Sequence, residues 1–189
     1  MQKLILVRHS LPAITDKQAA RDWRLSEEGR RRCERLAELL AIHHPGTIVT
    51  STEPKAIETG QLAGERLGIP VRAALNLHEH ERPGTHLDSA ERFEAKIARL
   101  LRHPGELVFG VETGDEARRR FSAAVERVMS QVPAGNVAVV SHGTVLTLFL
   151  AHHVSGIDPV RFWKALGLPA LVVLSYPDLS LVEVIERVV

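Results

Sequence analysis

Short apolar runs alternate along the chain with longer stretches whose apolar residues recur at helical spacing. Runs of strand length occupy residues 3–7, 47–51, 71–74, 136–140, 171–176 and 181–188. Helical spacing, capping residues and flanking Gly or Pro predict helices over residues 26–42, 53–67, 89–101, 116–132 and 144–153. Strands that alternate with helices favour βαβ units. The pattern therefore predicts an α/β fold, a three-layer sandwich with a mainly parallel sheet and helices on both faces.

Residues 75–115 interrupt this alternation on both sides of the helix predicted over 89–101. Residues 75–88 are polar and rich in histidine, and residues 102–115 carry one proline and three glycines. Loops commonly carry binding residues. We therefore expect a single domain over residues 1–189, in which residues 75–115 form a cap over a pocket.

Composition narrows the classes of function. The formal net charge is +1, which gives no overall field toward nucleic acid or an anionic membrane, and only 4% of residues are aromatic. Cys33 is the single cysteine, so no intrachain disulfide can form. The longest mainly apolar stretch, Val145 to Ala151, is too short to span a bilayer, and the N-terminal apolar run is too short for a signal peptide. These features predict a cytoplasmic protein.

Polar clusters follow three of the predicted strands. They are Arg8-His9-Ser10, residues 51–55 and Ser141-His142-Gly143. Ligands of open α/β sheets bind at the carboxyl ends of strands. Each cluster alone is an ordinary polar strand end, but two histidines and an arginine together indicate phosphoryl chemistry. A neutral histidine can attack phosphorus, an arginine fork binds phosphate oxygens, and Gly143 opens a helix whose N-terminus attracts anions. The sequence leaves open whether these strands are neighbours.

Five segments in a fixed order strengthen this interpretation. They are Leu6-Val7-Arg8-His9, Leu25-Ser26-Glu27-Glu28-Gly29, Thr50-Ser51-Thr52-Glu53-Pro54-Lys55-Ala56 with Thr59, Leu77-His78-Glu79, and Val139-Val140-Ser141-His142-Gly143. Together they resemble the signature segments of the histidine phosphatase (phosphoglycerate mutase-like) superfamily over residues 4 to about 150. The resemblance implies the phosphoglycerate mutase-like fold and a phosphatase that works through a phosphohistidine.

The resemblance also implies a role for each matched position. His9 would be the nucleophile, and Glu79 would donate a proton to the leaving group. The phosphate would be bound by Arg8, Ser10, Lys55, His142 and Gly143. We expect no metal and no cofactor, because cationic side chains supply the positive charge. The expected partner is a small phosphorylated molecule or a phosphoprotein.

Several positions depart from the family pattern. Ser10 stands where the family has a glycine, Thr15 where many members have an asparagine, and Lys55 where an arginine is usual. Lysine keeps the charge but loses the planar fork. Glu81 lies two residues after Glu79 and is an alternative proton donor.

Three other functions stay open at this stage. A phosphoglycerate mutase-like transferase would need a closed pocket, which a short chain does not favour. The departures at Ser10, Pro12 and Lys55 would also suit a phosphate-binding protein with weakened catalysis. A metal-dependent hydrolase is the third possibility, and its ligands would come from His78, His80, His86, Glu79, Glu81 and Asp88.

The sequence does not identify the substrate, but Arg82, Arg92, Arg99 and Arg102 are candidates to contact a second anionic group on it.

Overall fold

A computed structural model describes residues 1–84 and 88–188. Within these ranges the chain forms six strands and six α-helices. The strands are β1 (Gln2–Arg8), β2 (Pro45–Thr50), β3 (Val71–Ala73), β4 (Asn136–Ser141), β5 (Ala170–Tyr176) and β6 (Leu181–Ile185). The helices are α1 (Glu27–Ala41), α2 (Pro54–Leu67), α3 (Ala90–Arg102), α4 (Gly114–Ser130), α5 (Gly143–His153) and α6 (Pro159–Ala165).

The described strands form one sheet in the order β3-β2-β4-β1-β5-β6. Strands β1, β2, β3 and β4 run parallel, and β5 is antiparallel to both of its neighbours. The mainly parallel sheet predicted from the sequence is therefore confirmed. β1 lies inside the sheet, and its residues 4–7 are fully buried, which explains why it reads as a continuous apolar run.

The two faces of the sheet carry separate apolar cores. Leu4 and Leu6 pack with residues of α3, α4 and α5, whereas Ile5 and Val7 pack with residues of α1 and α2. Successive side chains of a strand point to opposite faces, so a buried strand serves both cores. Helices thus cover both faces, and the predicted three-layer sandwich is confirmed.

The start of α1 fixes the loop that follows β1. The Ser26 hydroxyl accepts the Gly29 N–H at 3.0 Å, which caps the helix as the sequence predicts. Gly29 packs against the backbone of Leu11 so closely that a Cβ atom would lie 2.1 Å from the Leu11 oxygen. Only glycine permits this approach, and it brings the loop after His9 onto α1.

Some elements differ from the sequence prediction. β6 ends at Ile185, earlier than the predicted strand, and α6 and a 3-10 turn at Ala20–Asp22 were not predicted. Neither α6 nor the turn has a buried residue, so neither gives an apolar period in the sequence. No helix in the described ranges is long and apolar enough to cross a membrane.

Candidate active site

A cleft of about 490 Å³ opens above the carboxyl ends of β1, β2 and β4. β1 and β4 are parallel neighbours in the sheet, and Arg8 is paired with Ser141. The next residues are His9 and His142, and the His9 N–H donates to the Ser141 carbonyl at 2.9 Å. The ring centroids of the two histidines are 5.1 Å apart. The adjacency that the sequence left open thus places both histidines in one cleft.

The contacts of His9 fix which nitrogen is free. Its Nδ1 lies 2.7 Å from the Ser10 carbonyl, which can only accept a hydrogen bond, so Nδ1 carries the proton. The lone pair is then on Nε2. Burial is the main reason why the pKa of His9 lies well below its ordinary value, and the nearby cations Lys55 and Arg8 act in the same direction. His9 is therefore a neutral imidazole at pH 7, as a nucleophile must be.

His142 ends β4 and precedes the first turn of α5. Its Nε2 lies 2.6 Å from the Ser51 hydroxyl and 3.4 Å from Glu53 Oε1. Burial is the main reason why its pKa lies well below the ordinary value, and the charge of Lys55 acts in the same direction. Its Nδ1 is buried and has no hydrogen-bond partner among the described residues. That nitrogen can contact a bound anion when it carries a proton.

Arg8 lies across Gly143. A Cβ atom at Gly143 would come within 3.0 Å of Cζ and Nε of the guanidinium, so a larger residue there would displace Arg8. One end of the guanidinium donates to the Leu166 carbonyl. Its buried Nε has no hydrogen-bond partner in the described parts of the chain. Burial lowers the pKa of Arg8 to about 10, so Arg8 stays charged at neutral pH and keeps a free donor for an anion.

Lys55 is tied to a carboxylate that the sequence analysis did not single out. Its ammonium forms a buried ion pair with Glu53 and donates to the Ala20 carbonyl at 2.7 Å. The other oxygen of Glu53 accepts the backbone N–H of Glu79 at 2.9 Å. Glu53 stands in the same strand-end cluster as Lys55, two residues earlier. A buried cation needs a counter-charge, and this spacing was the available signal.

The carboxylate of Glu79 lies at the N-terminus of α5, where the sequence analysis expected the phosphate to bind. Its carboxylate accepts the N–H groups of Thr144 at 3.0 Å and Val145 at 3.2 Å, which open α5, and that of His80 at 2.8 Å. The first turn of α5 thus binds the carboxylate of Glu79, which is as well suited to a helix N-terminus as a phosphate is.

These contacts determine the charge of Glu79. Burial raises the pKa of Glu79, but the charges of Arg82 and His142 and the N–H donors outweigh burial and leave the pKa below its ordinary value. Glu79 is therefore ionised at neutral pH in this structure.

An ion pair from outside the cleft holds the loop that carries Glu79. Arg120 of α4 pairs with Glu112 at 2.6 Å. The same guanidinium donates to the backbone carbonyls of Asn76, His78 and Glu79 at 3.0 to 3.1 Å. Glu112 in turn accepts the N–H of Glu81 at 2.8 Å. Sequence reasoning missed both residues, because the backbone groups that they bind leave no mark in the sequence.

The side chain of Ser10 does not reach the cleft. Its hydroxyl donates to the Gly29 carbonyl at 2.7 Å, and its N–H donates to Thr59 at 3.0 Å. Ser10 therefore ties the loop after β1 to α1 and α2. Thr15 is not among the residues that line the cleft, whereas Glu81 lies on its exposed edge.

The histidine-rich loop gives little support to a metal centre. His80 is buried, and its Nε2–H donates to the Glu112 carbonyl at 2.8 Å. His86 lies outside the described residues. Within the described ranges, no group of three or more His, Cys, Asp or Glu side chains is arranged to hold a metal ion.

Comparison with known proteins places this geometry in a family. The sequence pattern of the histidine phosphatase superfamily (branch 1) matches residues 4–180. A glucosyl-3-phosphoglycerate phosphatase from Mycolicibacterium vanbaalenii is 30% identical over 186 residues, a match that covers 88% of this chain and 80% of that protein.

Solved structures agree with the sequence matches. A mycobacterial glucosyl-3-phosphoglycerate phosphatase in complex with inorganic phosphate superposes with a TM-score of 0.73 at 25% identity, covering 99% of this chain and 98% of that one. Bacillus stearothermophilus YhfR has the same fold, with a TM-score of 0.76 at 20% identity and coverage of 100% and 98%. The resemblance predicted from the sequence is thereby confirmed, and the chain belongs to the histidine phosphatase superfamily as one of its phosphatases.

Proposed function

We propose that this phosphatase hydrolyses a small phosphomonoester through a phosphohistidine formed on His9. One observation carries the proposal. A neutral imidazole with its lone pair on Nε2 lies in a buried cleft, 5.1 Å from a second histidine and beside the charged Arg8. This arrangement supports the proposal, because phosphoryl transfer requires a positioned nucleophile and positioned anion-binding groups.

In the first step Nε2 of His9 attacks phosphorus, and the bond from phosphorus to the ester oxygen breaks. Arg8 and His142 hold the phosphoryl oxygens, and Glu79 gives its proton to the departing alkoxide. In the second step Glu79 takes a proton from water, whose oxygen attacks the phosphohistidine. The bond from nitrogen to phosphorus breaks, and inorganic phosphate leaves. No metal or cofactor is needed in this scheme, because Arg8 supplies a positive charge and the neutral His142 ring donates an N–H to the phosphoryl group.

Glu79 has to acquire its proton when substrate binds. It is ionised in this structure because Arg82 and His142 lower its pKa. A phosphoryl group that binds beside Arg8 and His142 brings negative charge close to Glu79. That charge offsets the cations and raises the pKa of the carboxyl. The proton can come from the substrate itself, since a phosphomonoester has its second pKa near about 6.

The names of the relatives bear on which reaction and substrate to propose. Both mycobacterial proteins are named as phosphatases of glucosyl-3-phosphoglycerate, which supports hydrolysis over a mutase reaction. We extend this to a small phosphorylated substrate for the present chain. Residues 75–115 would act as its cap, since His78, Glu79, Arg82 and Phe93 line the cleft. A cytoplasmic location is part of the proposal and fits a single, buried, free cysteine.

A labelling experiment tests the nucleophile. Wild-type protein incubated with a ³²P-labelled phosphomonoester and quenched in alkali should carry acid-labile label on His9. His9→Ala should lose both the label and turnover on every substrate. Phosphate binding without label or turnover would identify a phosphate-binding protein that has lost its chemistry. Substantial turnover by His9→Ala would refute the mechanism.

Rates of hydrolysis for substrates with different leaving groups test whether Glu79 is the proton donor. General acid help is typically worth ~10²–10⁴-fold and matters least when the leaving group is already acidic. Glu79→Gln should therefore nearly stop hydrolysis of an alkyl phosphate and spare much activity on p-nitrophenyl phosphate. Glu81→Gln is the matched control and should do little on either substrate. A selective loss in Glu81→Gln would move the role to Glu81.

A further inference from the structure

Arg82 is a cation in the cleft that lowers the pKa of Glu79 but makes no contact with the substrate in the proposed reaction. It lies on the loop that carries Glu79, three residues later, and it lines the cleft. Its guanidinium carbon lies 4.9 Å from the centre of the Phe93 ring. The Nη1 atom is buried and has no hydrogen-bond partner among the described residues. A buried donor without a partner is costly, and such groups often mark the place of a ligand.

The contact with Phe93 holds the guanidinium in a useful orientation. A ring that packs against the face of an arginine occupies its π surface and leaves the N–H donors on its edge free. Phe93 is itself held by edge-on contacts with Phe109 at 6.5 Å and Trp163 at 6.2 Å between ring centroids. The guanidinium therefore lies over an aromatic wall formed by Phe93, Phe109 and Trp163. A planar edge of this kind suits a carboxylate or a phosphate, which it can bind through two parallel hydrogen bonds.

The charges that line the cleft identify Arg82 as a surplus cation. Lys55 pairs with Glu53, and Arg21 lies 3.9 Å from Asp22. Within the described ranges, Arg8 and Arg82 are the two lining cations without an acidic group inside 4.0 Å. Arg8 lies between the strand ends beside His9 and serves the transferred phosphoryl group. Arg82 lies on the loop of the group that protonates the leaving oxygen, which is the leaving-group side.

We propose that Arg82 binds a second anionic group, so that the substrates are phosphomonoesters whose leaving group carries a carboxylate or a further phosphate. This inference rests on the proposed function, since it takes the phosphoryl group to lie at His9. The aromatic wall of Phe93 and Trp163 then contacts the carbon chain between the two anions.

Binding to a variant without turnover tests the inference. Affinities of His9→Ala would be measured by calorimetry for phosphoglycolate, 3-phosphooxypropanoate and 4-phosphooxybutanoate, and for ethyl, propyl and butyl phosphate as neutral counterparts. The best carboxylate should bind about ten- to a hundredfold more tightly than its counterpart, the range of a charge-assisted hydrogen bond. Propane-1,3-diol bisphosphate, set against propyl phosphate, shows whether a phosphate serves equally well.

Two double variants supply the decisive comparison. In His9→Ala/Arg82→Gln the ratio of the affinities for the carboxylate ligand and its neutral counterpart should fall to about one. In His9→Ala/Arg92→Gln, which removes the same charge from an exposed residue of α3 that does not line the cleft, the preference should persist. Equal weakening of both ligand series by Arg82→Gln would place Arg82 at the phosphoryl group and overturn the proposal, as would an unchanged preference. Lack of His9 labelling in the wild type would instead refute the reaction and leave the anion preference standing.

Discussion

Glu53 is a buried carboxylate in the middle of a site that should bind phosphate. Its two oxygens contact the ammonium of Lys55 and the N–H of Glu79, and Oε1 lies 3.4 Å from His142 Nε2. Carboxylate and phosphate carry the same sign of charge and compete for the same cation. A phosphate that binds Lys55 has to share its charge with Glu53, so we expect this ion pair to lower the affinity for phosphate, the product of the proposed reaction.

Glu53→Gln should therefore tighten the binding of inorganic phosphate. The amide still accepts the Glu79 N–H, but it no longer holds the Lys55 charge, which becomes available to phosphate. We expect the inhibition constant of phosphate to fall by about tenfold, the value of one charge-assisted hydrogen bond. Glu58→Gln is the matched control, because Glu58, which lies in α2, is also a buried glutamate but pairs with Arg24 and Arg30. Unchanged or weaker inhibition in Glu53→Gln would contradict this account.

The sequence indicated the candidate chemical groups of the cleft better than it indicated the residues that hold them in place. His9, His142 and Arg8 follow apolar runs at strand ends, so their type and position are visible in the sequence. The ion pair of Lys55 with Glu53 depends on side-chain directions at the start of α2, and the sequence does not specify those. Ser10 was expected at the phosphate, but its hydroxyl binds Gly29. That contact exists only because α1 packs on the loop after β1.

Among the helices, α4 positions the site without touching the cleft. Arg120 binds three carbonyls of the loop that carries Glu79, and its partner Glu112 binds the next turn of that loop. The side chains of both residues are largely buried, with exposures of 16% and 12%. A pair in such surroundings is costly to break, because the remaining charge and carbonyls lose their partners. We therefore regard Arg120 as a positioning residue for Glu79.

Arg120→Lys should reproduce the leaving-group pattern of Glu79→Gln in weaker form. A lysine keeps the charge but cannot reach three carbonyls and a carboxylate together, so Glu79 would lose its fixed place. We expect a loss of at least about tenfold on an alkyl phosphate, a part of the usual gain from general acid help, and a much smaller loss on p-nitrophenyl phosphate. Steady-state rates on the two substrates measure this.

The control for this variant is Arg119→Lys, at the preceding and exposed residue of α4. It should leave both rates near the wild-type values. Circular dichroism of each variant shows that the helices persist. Equal losses on both substrates in Arg120→Lys would mean that the ion pair supports the fold as a whole and not the proton donor.

Elements with a strong apolar period were predicted, and those without one were missed. β1, β4, α1 and α5 bury much of their length, whereas α6 has only seven residues, too few to show a helical period in the sequence. The pairing of β1 with β4 joins residues more than a hundred positions apart. Strand order of this kind follows from the packing of all the elements, so the sequence could predict a parallel sheet but not which strand ends meet.

The molecule as a whole buries histidines that prefer to be neutral. Burial is the largest cause of a lowered pKa in His9, His43, His78, His142 and His153. In the unfolded chain each histidine takes up a proton near its ordinary pKa of about 6.5. Below that pH the unfolded state binds more protons than the folded state does. The stability from these groups is therefore fully present above about pH 6.5 and is lost as pH falls toward their folded pKa values.

We accordingly expect the free energy of unfolding to fall as pH is lowered from about 6.5 to 4.5, with each strongly shifted histidine contributing at most about 1.4 kcal/mol per pH unit. His9 and His142 are the most strongly shifted, since both are buried and face other cations. Urea unfolding at a series of pH values should show a shallower pH dependence for His9→Asn and for His142→Asn. His44→Asn, at an exposed residue, should keep the wild-type slope. If all three variants kept that slope, the acid sensitivity would come from groups outside the candidate active site, and His9 and His142 would not be held neutral by the fold.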